Sequence, residues 1–292
     1  MTERNTPRPE ATRHVPDHVS IRHPTIKRLR RLSGRRGARS AEGAFVIDGP
    51  TLLADALDAG VQVDEVVAEP GCPPPLLARA AEAGAVVRSV AAGVLARVTD
   101  TVTPQPVAAI GRFVDASPAD AASTAGPLAL VLVGVGDPGN AGTLLRSAEA
   151  AGAGAVLFCD GSVDPYGPKC VRASAGSVFR VAVTRSGDSG EALACLASAG
   201  LGTLATVARG GRSYDEVDLA DPVGLVLGNE AHGLPADVAA RVDRTVTIPM
   251  LGRTESLNVG MAGTILCFES LRQRRRRDQA SDQGNRLDAT RP

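Results

Sequence analysis

Apolar residues in this chain fall into two rhythms. One is the short run of strand length, continuous and apolar at residues 128–135 and followed by further strand-length runs at 155–159, 178–183, 203–207, 223–227 and 245–248, rich in Val, Leu, Ile, Ala and Thr. Strands that do not alternate are those buried on both faces, so these runs predict a parallel sheet covered by helices on each side. The stretches between them supply the helices, opening after Gly139, Pro168, Ser189 and Pro235. Strand and helix repeated in this way predict a doubly wound α/β sheet. The second rhythm dominates a last helix, where Leu257, Met261, Ile265, Phe268 and Leu271 make one apolar stripe.

A smaller α/β pattern precedes this one. Strands are predicted at 44–47, 63–68, 85–90 and 106–110, with helices at 50–60, 75–83 and 91–98 between them. Ahead of these, Pro24 suits a first helical turn, and Ile26, Leu29 and Leu32 share one face while Lys27, Arg28, Arg30 and Arg31 take the others. Ser33-Gly34 then predicts a break, leaving residues 35–39 as a loop. The organisation expected is a basic disordered arm over 1–22, an α/β domain over 23–113, a linker over 114–126, the doubly wound domain over 127–277 and a disordered tail over 278–292. The linker is read from Pro118 and its run of Ala, Ser and Thr.

Composition narrows the function. A chain of 292 residues suits two ordinary domains. It has no apolar run long enough to span a bilayer, and its first residues are polar rather than leader-like, so a cytoplasmic protein with no membrane partner is expected. Cys72, Cys159, Cys170, Cys195 and Cys267 are scattered without CxxC or Cys/His spacing, which predicts buried thiols and no metal site.

The formal net charge of zero hides a strong asymmetry. In the first forty residues Arg4, Arg8, Arg13, Arg22, Lys27, Arg28, Arg30, Arg31, Arg35, Arg36 and Arg39 face only Glu3, Glu10 and Asp17. A second basic block, Arg272 and Arg274 to Arg277, closes the last helix. Clustered arginine is the footprint of a polyanion partner, because neutralising phosphates releases counterions. Lys27, Arg28, Arg31, Arg35, Arg36 and Arg39 are the residues expected to contact the phosphates of such a partner. The scarcity of aromatics, 2% of the chain, argues against base stacking as the main grip.

Three segments carry candidate chemistry. Asp137-Pro-Gly-Asn140-Ala-Gly142-Thr-Leu-Leu-Arg146 opens a helix, and Leu227-Gly228-Asn229-Glu230-Ala-His232-Gly233 ends a buried strand. Ile248-Pro-Met250 and Ser256-Leu257-Asn258-Val259 lead into the last helix. Taken from the residues alone, Asn140 is a helix-start amide that caps or holds a ligand. Arg146 is either half of a surface ion pair with Glu149 or a fork for a phosphate.

In this order within one α/β stretch, the segments resemble the SpoU/TrmH family of RNA ribose 2′-O-methyltransferases, members of the knotted SPOUT class. The resemblance implies a doubly wound parallel sheet closed by a trefoil knot, S-adenosylmethionine as methyl donor, and a homodimer. The α/β domain ahead of it looks like the ribosomal-protein-like RNA-binding domain of many such proteins. Carried onto this chain, Leu227, Gly228, Asn229, Gly233, Ile248, Met250 and Leu257 are the implied cofactor contacts. Asn140, Arg146, Glu230, Ser256 and Asn258 surround the reacting ribose. Gly260 departs from the family, which more often has Ser there. The implied function is methylation of a ribose 2′-hydroxyl in structured RNA, ribosomal RNA favoured over tRNA.

Two alternatives are carried alongside. Gly134-Val-Gly136-Asp-Pro-Gly139 follows a strand and opens a helix, with Asp160 at the end of the next strand, a pattern that an NAD-dependent oxidoreductase also uses. A non-catalytic RNA-binding factor is the other. A truncation starting at Pro127 is expected to leave a domain that folds and binds the methyl donor.

Overall fold

The computed structural model describes residues 17–99 and 103–288, with side chains through residue 281. The first α/β unit contains β1 (Asp17–His18), α1 (Pro24–Gly34), α2 (Arg36–Glu42), β2 (Ala44–Asp48), α3 (Pro50–Asp58), β3 (Val63–Ala68), α4 (Pro74–Glu82), β4 (Val86–Ser89) and β5 (Val107–Arg112). Its five strands run in the order β1-β4-β3-β5-β2, with β5 antiparallel to both neighbours. Burial of Phe45, Ile47, Val66, Ala109 and Ile110 holds α1, α3 and α4 to this sheet.

The second unit follows as α5 (Pro118–Thr124), β6 (Leu128–Leu132), α6 (Pro138–Ala150), β7 (Ala155–Phe158), α7 (Pro168–Ser174), β8 (Ala182–Arg185), α8 (Ser189–Ser198), β9 (Gly202–Thr206), β10 (Arg212–Ser213), β11 (Val223–Leu227), α9 (Ala236–Ala239), β12 (Arg244–Thr247) and α10 (Val259–Asp288). All seven strands are parallel, in the order β10-β12-β9-β11-β6-β7-β8. Leu128, Leu130, Leu132, Leu225 and Leu227 are buried on one face and Ala129, Val131 and Val226 on the other, as a sheet covered on both faces requires. From β6 the chain winds outward through β7 and β8, then crosses back to β9, and β11 inserts between β9 and β6. The order reverses at β6 and β11, where the loops at their carboxyl ends part to leave a crevice.

Several expectations are corrected. Of residues 35–39, read as a loop, only Arg35 is extended, breaking α1 from α2, and 36–39 belong to α2: Gly43 ends it in the left-handed region, and Arg39 Nη1 donates to Leu32 O of α1 at 2.7 Å. The helix expected at 91–98 shrinks to one 3₁₀ turn, Leu95–Arg97, because Glu69 takes the amides of Gly93 and Leu95. The strand expected at 178–183 starts only at Ala182, after a 3₁₀ turn at Ser177–Phe179.

The linker read over 114–126 contains α5. Ser117 caps it by accepting from the Asp120 amide, and Ala121, Ala122 and Ala125 are buried in the core shared with β7 and α8. An alanine-rich stretch reads as a linker by composition, yet small side chains are what lets a helix lie flat on its neighbours. Within the expected disordered arm, Asp17–His18 pairs with Arg88 and Ser89; the expectation for residues 1–16 lies outside the described residues. The expected disordered tail is helical as far as Asp288, and residues 289–292 lie outside the described ones.

The two units share one core. Tyr166, fully buried, sits between Phe45 at 4.9 Å and Phe113 at 4.4 Å between ring centroids, and Phe179 packs on Phe45 at 6.0 Å. Beside them Arg39 Nε donates to Asp164 Oδ2 at 2.7 Å, with both side chains 7% exposed.

Candidate active site

The site grows from the crevice. Val133 N donates to Leu227 O at 2.9 Å, so the pairing of β6 and β11 runs to the last residue before both loops turn away. In the first loop Asp137, not Asn140, caps α6, its Oδ1 accepting from the Asn140 amide at 2.9 Å. That hydrogen bond, with help from Lys169, holds the Asp137 carboxyl below its ordinary value. The Asn140 side chain is thereby released for other work.

It is used to join three distant segments. Asn140 Nδ2 donates to Glu230 Oε1 at 2.9 Å, and Asn140 Oδ1 accepts from Asn258 Nδ2 at 2.8 Å. Asn258 in turn caps α10 by accepting from the Met261 amide at 3.2 Å. Glu230 also accepts the amides of Gly136 at 3.1 Å and Asp137 at 3.2 Å. Burial pushes the Glu230 carboxyl up, but the Asn140 amide and these backbone donors outweigh it and hold it below the usual glutamate value. Glu230, Asn140 and Asn258 thus form a relay of hydrogen bonds that fixes the loops after β6, β11 and β12 to one another.

The loop after β11 is itself rigid. Asn229 and Gly233 exchange backbone hydrogen bonds of 2.9 Å, and Asn229 Oδ1 accepts the amides of Ala231 and His232. Asn229 Nδ2 donates across the crevice to Gly134 O at 2.8 Å. A Cβ on Gly228 would lie 2.5 Å from the Gly233 carbonyl carbon, so only glycine lets the loop fold back this tightly. Gly263 serves α10 in the same way: a Cβ there would lie 2.2 Å from Leu144, and the close approach lets Ser147 and Thr264 hydroxyls meet at 2.7 Å.

A cleft of about 520 Å³ opens beside these loops. Of the residues predicted from sequence, Gly228, Asn229, Glu230, Gly233, Ile248, Met250, Ser256 and Leu257 line it. Leu227 does not; its side chain is wholly buried beneath the loop, against the position of Gly263. Asn140 and Asn258 do not line it. Thr206, Val207, Ala208 and Arg209, at the end of β9 and just beyond it, line the cleft and were missed. The signal for them was available, since β9 is parallel to β11 and its carboxyl end had to open on the same edge.

Arg146 is exposed on α6 and has no ion pair or hydrogen bond among the described residues. Its alternative partner is taken: Glu149 binds Arg180 and accepts from Ser177 at 2.5 Å.

The basic residues divide differently from expectation. Arg28 is tied to Glu42, Asp64 and Glu65 at 2.7, 3.2 and 2.9 Å, and Arg39 is buried on Asp164, so both are structural and are withdrawn as phosphate contacts. Arg31 shares Glu42 but stays 55% exposed. Lys27, Arg35 and Arg36 are exposed, with a single bond from Arg36 Nη1 to Ser162 O at 3.3 Å. In the second block Arg272 pairs with Glu269, Arg277 with Asp218 and Asp221, and Arg274 donates to Ala151 O. Cys159, Cys170 and Cys267 are buried thiols, each pushed up to about 12 chiefly by desolvation, which leaves them unreactive.

Comparison with known proteins decides the family. Residues 127–268 match the SpoU rRNA Methylase family, and residues 23–109 match the MRM3-like substrate binding domain. A Bacillus subtilis relative, the 23S rRNA (guanosine(2553)-2′-O)-methyltransferase RlmP, is 30% identical over 251 residues, 85% of this chain and 96% of its own. The chain belongs to the SpoU methylase family. Among solved structures, the AdoMet-bound rRNA methyltransferase from Sinorhizobium meliloti superposes with a TM-score of 0.80 at 32% identity, covering 88% of this chain and 97% of that one. The SpoU methyltransferase AviRb from Streptomyces viridochromogenes, in complex with AdoMet, gives 0.76 at 26% identity, over 86% of this chain and 99% of that one. Membership of the SpoU family also disposes of the nicotinamide alternative, and the geometry gives the reason. The amides of Gly136 and Asp137, which a dinucleotide turn would offer to a pyrophosphate, are already spent on Glu230.

Proposed function

We propose that the protein transfers the methyl group of S-adenosylmethionine to a ribose 2′-hydroxyl in RNA, with ribosomal RNA favoured over tRNA. The observation that carries this reading is a cofactor-sized cleft at the sheet's switch point, next to a helix that presents an arginine with no partner among the described residues, with all three motif segments hydrogen-bonded to one another beside it. Ribosomal RNA is favoured because the RlmP relative and the Sinorhizobium meliloti protein bear rRNA in their names.

The residues fit the donor. Ile248, Met250, Leu257 and Val259 give an apolar seat for an adenosine, and the loop at Gly228 to Gly233 brings backbone groups to its edge. The bound donor supplies an electrophilic methyl on a positively charged sulfur. The chain's own task is alignment and charge stabilisation. Arg146 orients the phosphate beside the target ribose and stabilises the oxygen as its proton leaves to solvent; its guanidinium, already protonated and without an acceptor, does not take that proton itself. Ser256, on the cleft wall, offers a hydroxyl to the ribose, while Glu230, Asn140 and Asn258 hold the walls at their working separation.

Three finer features belong to the same reading. The segment from Ile248 to Val259 is taken as the threaded end of a trefoil knot. Residues 23–113 hold the RNA. The active form is a homodimer, supported by Met261 and Phe268, 62% and 46% exposed, which lie one heptad apart on α10.

Titration calorimetry and a methylation assay test the reading together. S-adenosylmethionine is expected to bind and NAD not to, and RNA from a strain lacking the protein should accept a labelled 2′-O-methyl group. Binding of the donor without transfer to any cellular RNA would move the protein to the non-catalytic RNA-binding class.

A further inference from the structure

The junction between the two α/β units carries an arrangement that the site itself does not use. α2 lies against the loop between β7 and α7: Arg39 is pinned to Asp164 in a buried ion pair, and Arg36 Nη1 donates to Ser162 O at 3.3 Å. That loop also borders the active site. Val163 N donates to Val135 O at 2.9 Å, and a Cβ on Gly161 would lie 3.3 Å from Gly134 Cα, beside the carbonyl that Asn229 holds. At its far end Lys169, 65% exposed, places Nζ 3.4 Å from Asp137 Oδ2, the cap of the helix that bears Arg146. Arg35, at the N-terminal end of α2, is exposed with no side-chain partner among the described residues. Exposed cations thus follow one another from α2, across the junction, to the start of α6.

From this we propose that the RNA strand crosses the junction, its phosphates contacted by Arg35, Arg36 and Lys169 on the way to Arg146. The proposal rests on the reading of the protein as an RNA methyltransferase. It adds a surface and a residue, Lys169, that neither the motifs nor the basic arm pointed to. It also has a geometric consequence. Because Arg39–Asp164 and the Tyr166 ring stack lock the two units together, the separation between the phosphates held at α2 and the ribose held at Arg146 is built into the fold. The enzyme then selects a ribose at a set distance from the structure it grips. Phosphate recognition by arginine and lysine carries no base identity, so this surface positions the strand and does not read its sequence.

The test uses the full chain and ribosomal RNA extracted from a strain lacking the protein. Arg35→Gln with Arg36→Gln, and separately Lys169→Gln, remove charge from exposed positions without placing a new carboxylate beside Asp137. Each is expected to raise KM for RNA by about tenfold and to flatten the dependence of log affinity on log salt by about 0.7–0.9 for each phosphate no longer neutralised. Affinity for S-adenosylmethionine should stay at the native value, since none of the three lines the cleft. Arg79→Gln, an exposed arginine on α4 paired with Asp58, serves as the control and should leave the salt slope alone. Native RNA affinity and native salt slope in both variants, in a protein that still methylates RNA, would overturn the surface and leave the enzyme reading standing. A native protein that methylates no RNA would instead overturn the reading on which the surface rests.

Discussion

Arg146 owes its availability to Glu149, three positions on, which the fold commits to Arg180 and Ser177. Arg146→Lys keeps the charge and loses the planar fork, and turnover should fall about a hundredfold, the scale of one preorganised donor removed. S-adenosylmethionine affinity should be unchanged, because Arg146 does not line the cleft; single-turnover assays beside calorimetry separate the two, and native turnover would end the assignment. Asn140→Ala tests the relay. Asp137 still caps α6 in that variant, so melting should shift little, while removal of the links to Glu230 and Asn258 loosens three loops at once. We expect turnover per folded molecule to drop about tenfold, one charge-assisted hydrogen bond's worth. A variant that melts early but turns over normally would reduce Asn140 to a structural residue.

At the scale of elements, the end of β2 meets α7 at Asp48. Its carboxylate is 3% exposed, neither oxygen has a hydrogen bond among the described residues, and Arg172 Nη1 stands 3.6 Å away. Burial raises its pKa, and Arg172 offsets this only in part. A raised folded value means that the stability tied to the protonated form is complete below the unfolded value, about 4, and is lost as pH rises through the folded one. Asp48→Asn removes that penalty. The variant should melt above the native protein at pH 8, and the difference should close as pH falls below about 4. Melting curves across this range check the sign, and a gap that widens in acid would contradict it. Arg172, partly exposed, can turn to water when the carboxylate is gone.

For the whole molecule, the shared core changes what truncation means. A chain starting at Pro127 would lose α5 and uncover Tyr166 and Phe179, so the isolated catalytic unit expected from sequence would begin with an exposed aromatic face. Charge substitutions in the full chain are the cleaner probe. The proposed dimer is tested at the same scale. Met261→Lys with Phe268→Glu should leave a folded monomer in sedimentation and, if the partner completes the site, an inactive one. A native protein that sediments as a monomer at assay concentration would remove the homodimer from the reading.

What the sequence determined by itself was the set of elements that depend on local order. The continuous apolar runs of β6 and β11, the stripe of α10 and the spacing of the three motifs follow from neighbours along the chain, and so the doubly wound sheet and most of the cleft residues were legible there. Other features depended on partners distant in sequence. Arg28 and Arg39 read as phosphate ligands until folding set them on Glu42, Asp64, Glu65 and Asp164. Residues 118–124 read as a linker until a sheet lay beneath their alanines. Asn140 read as a cap or a ligand-holding amide until Asp137 took the cap and Glu230 and Asn258 arrived at its side chain. Hydrophobic periodicity registers along the chain, whereas the use of a charge or an amide is decided by whichever partner tertiary packing brings within hydrogen-bonding distance.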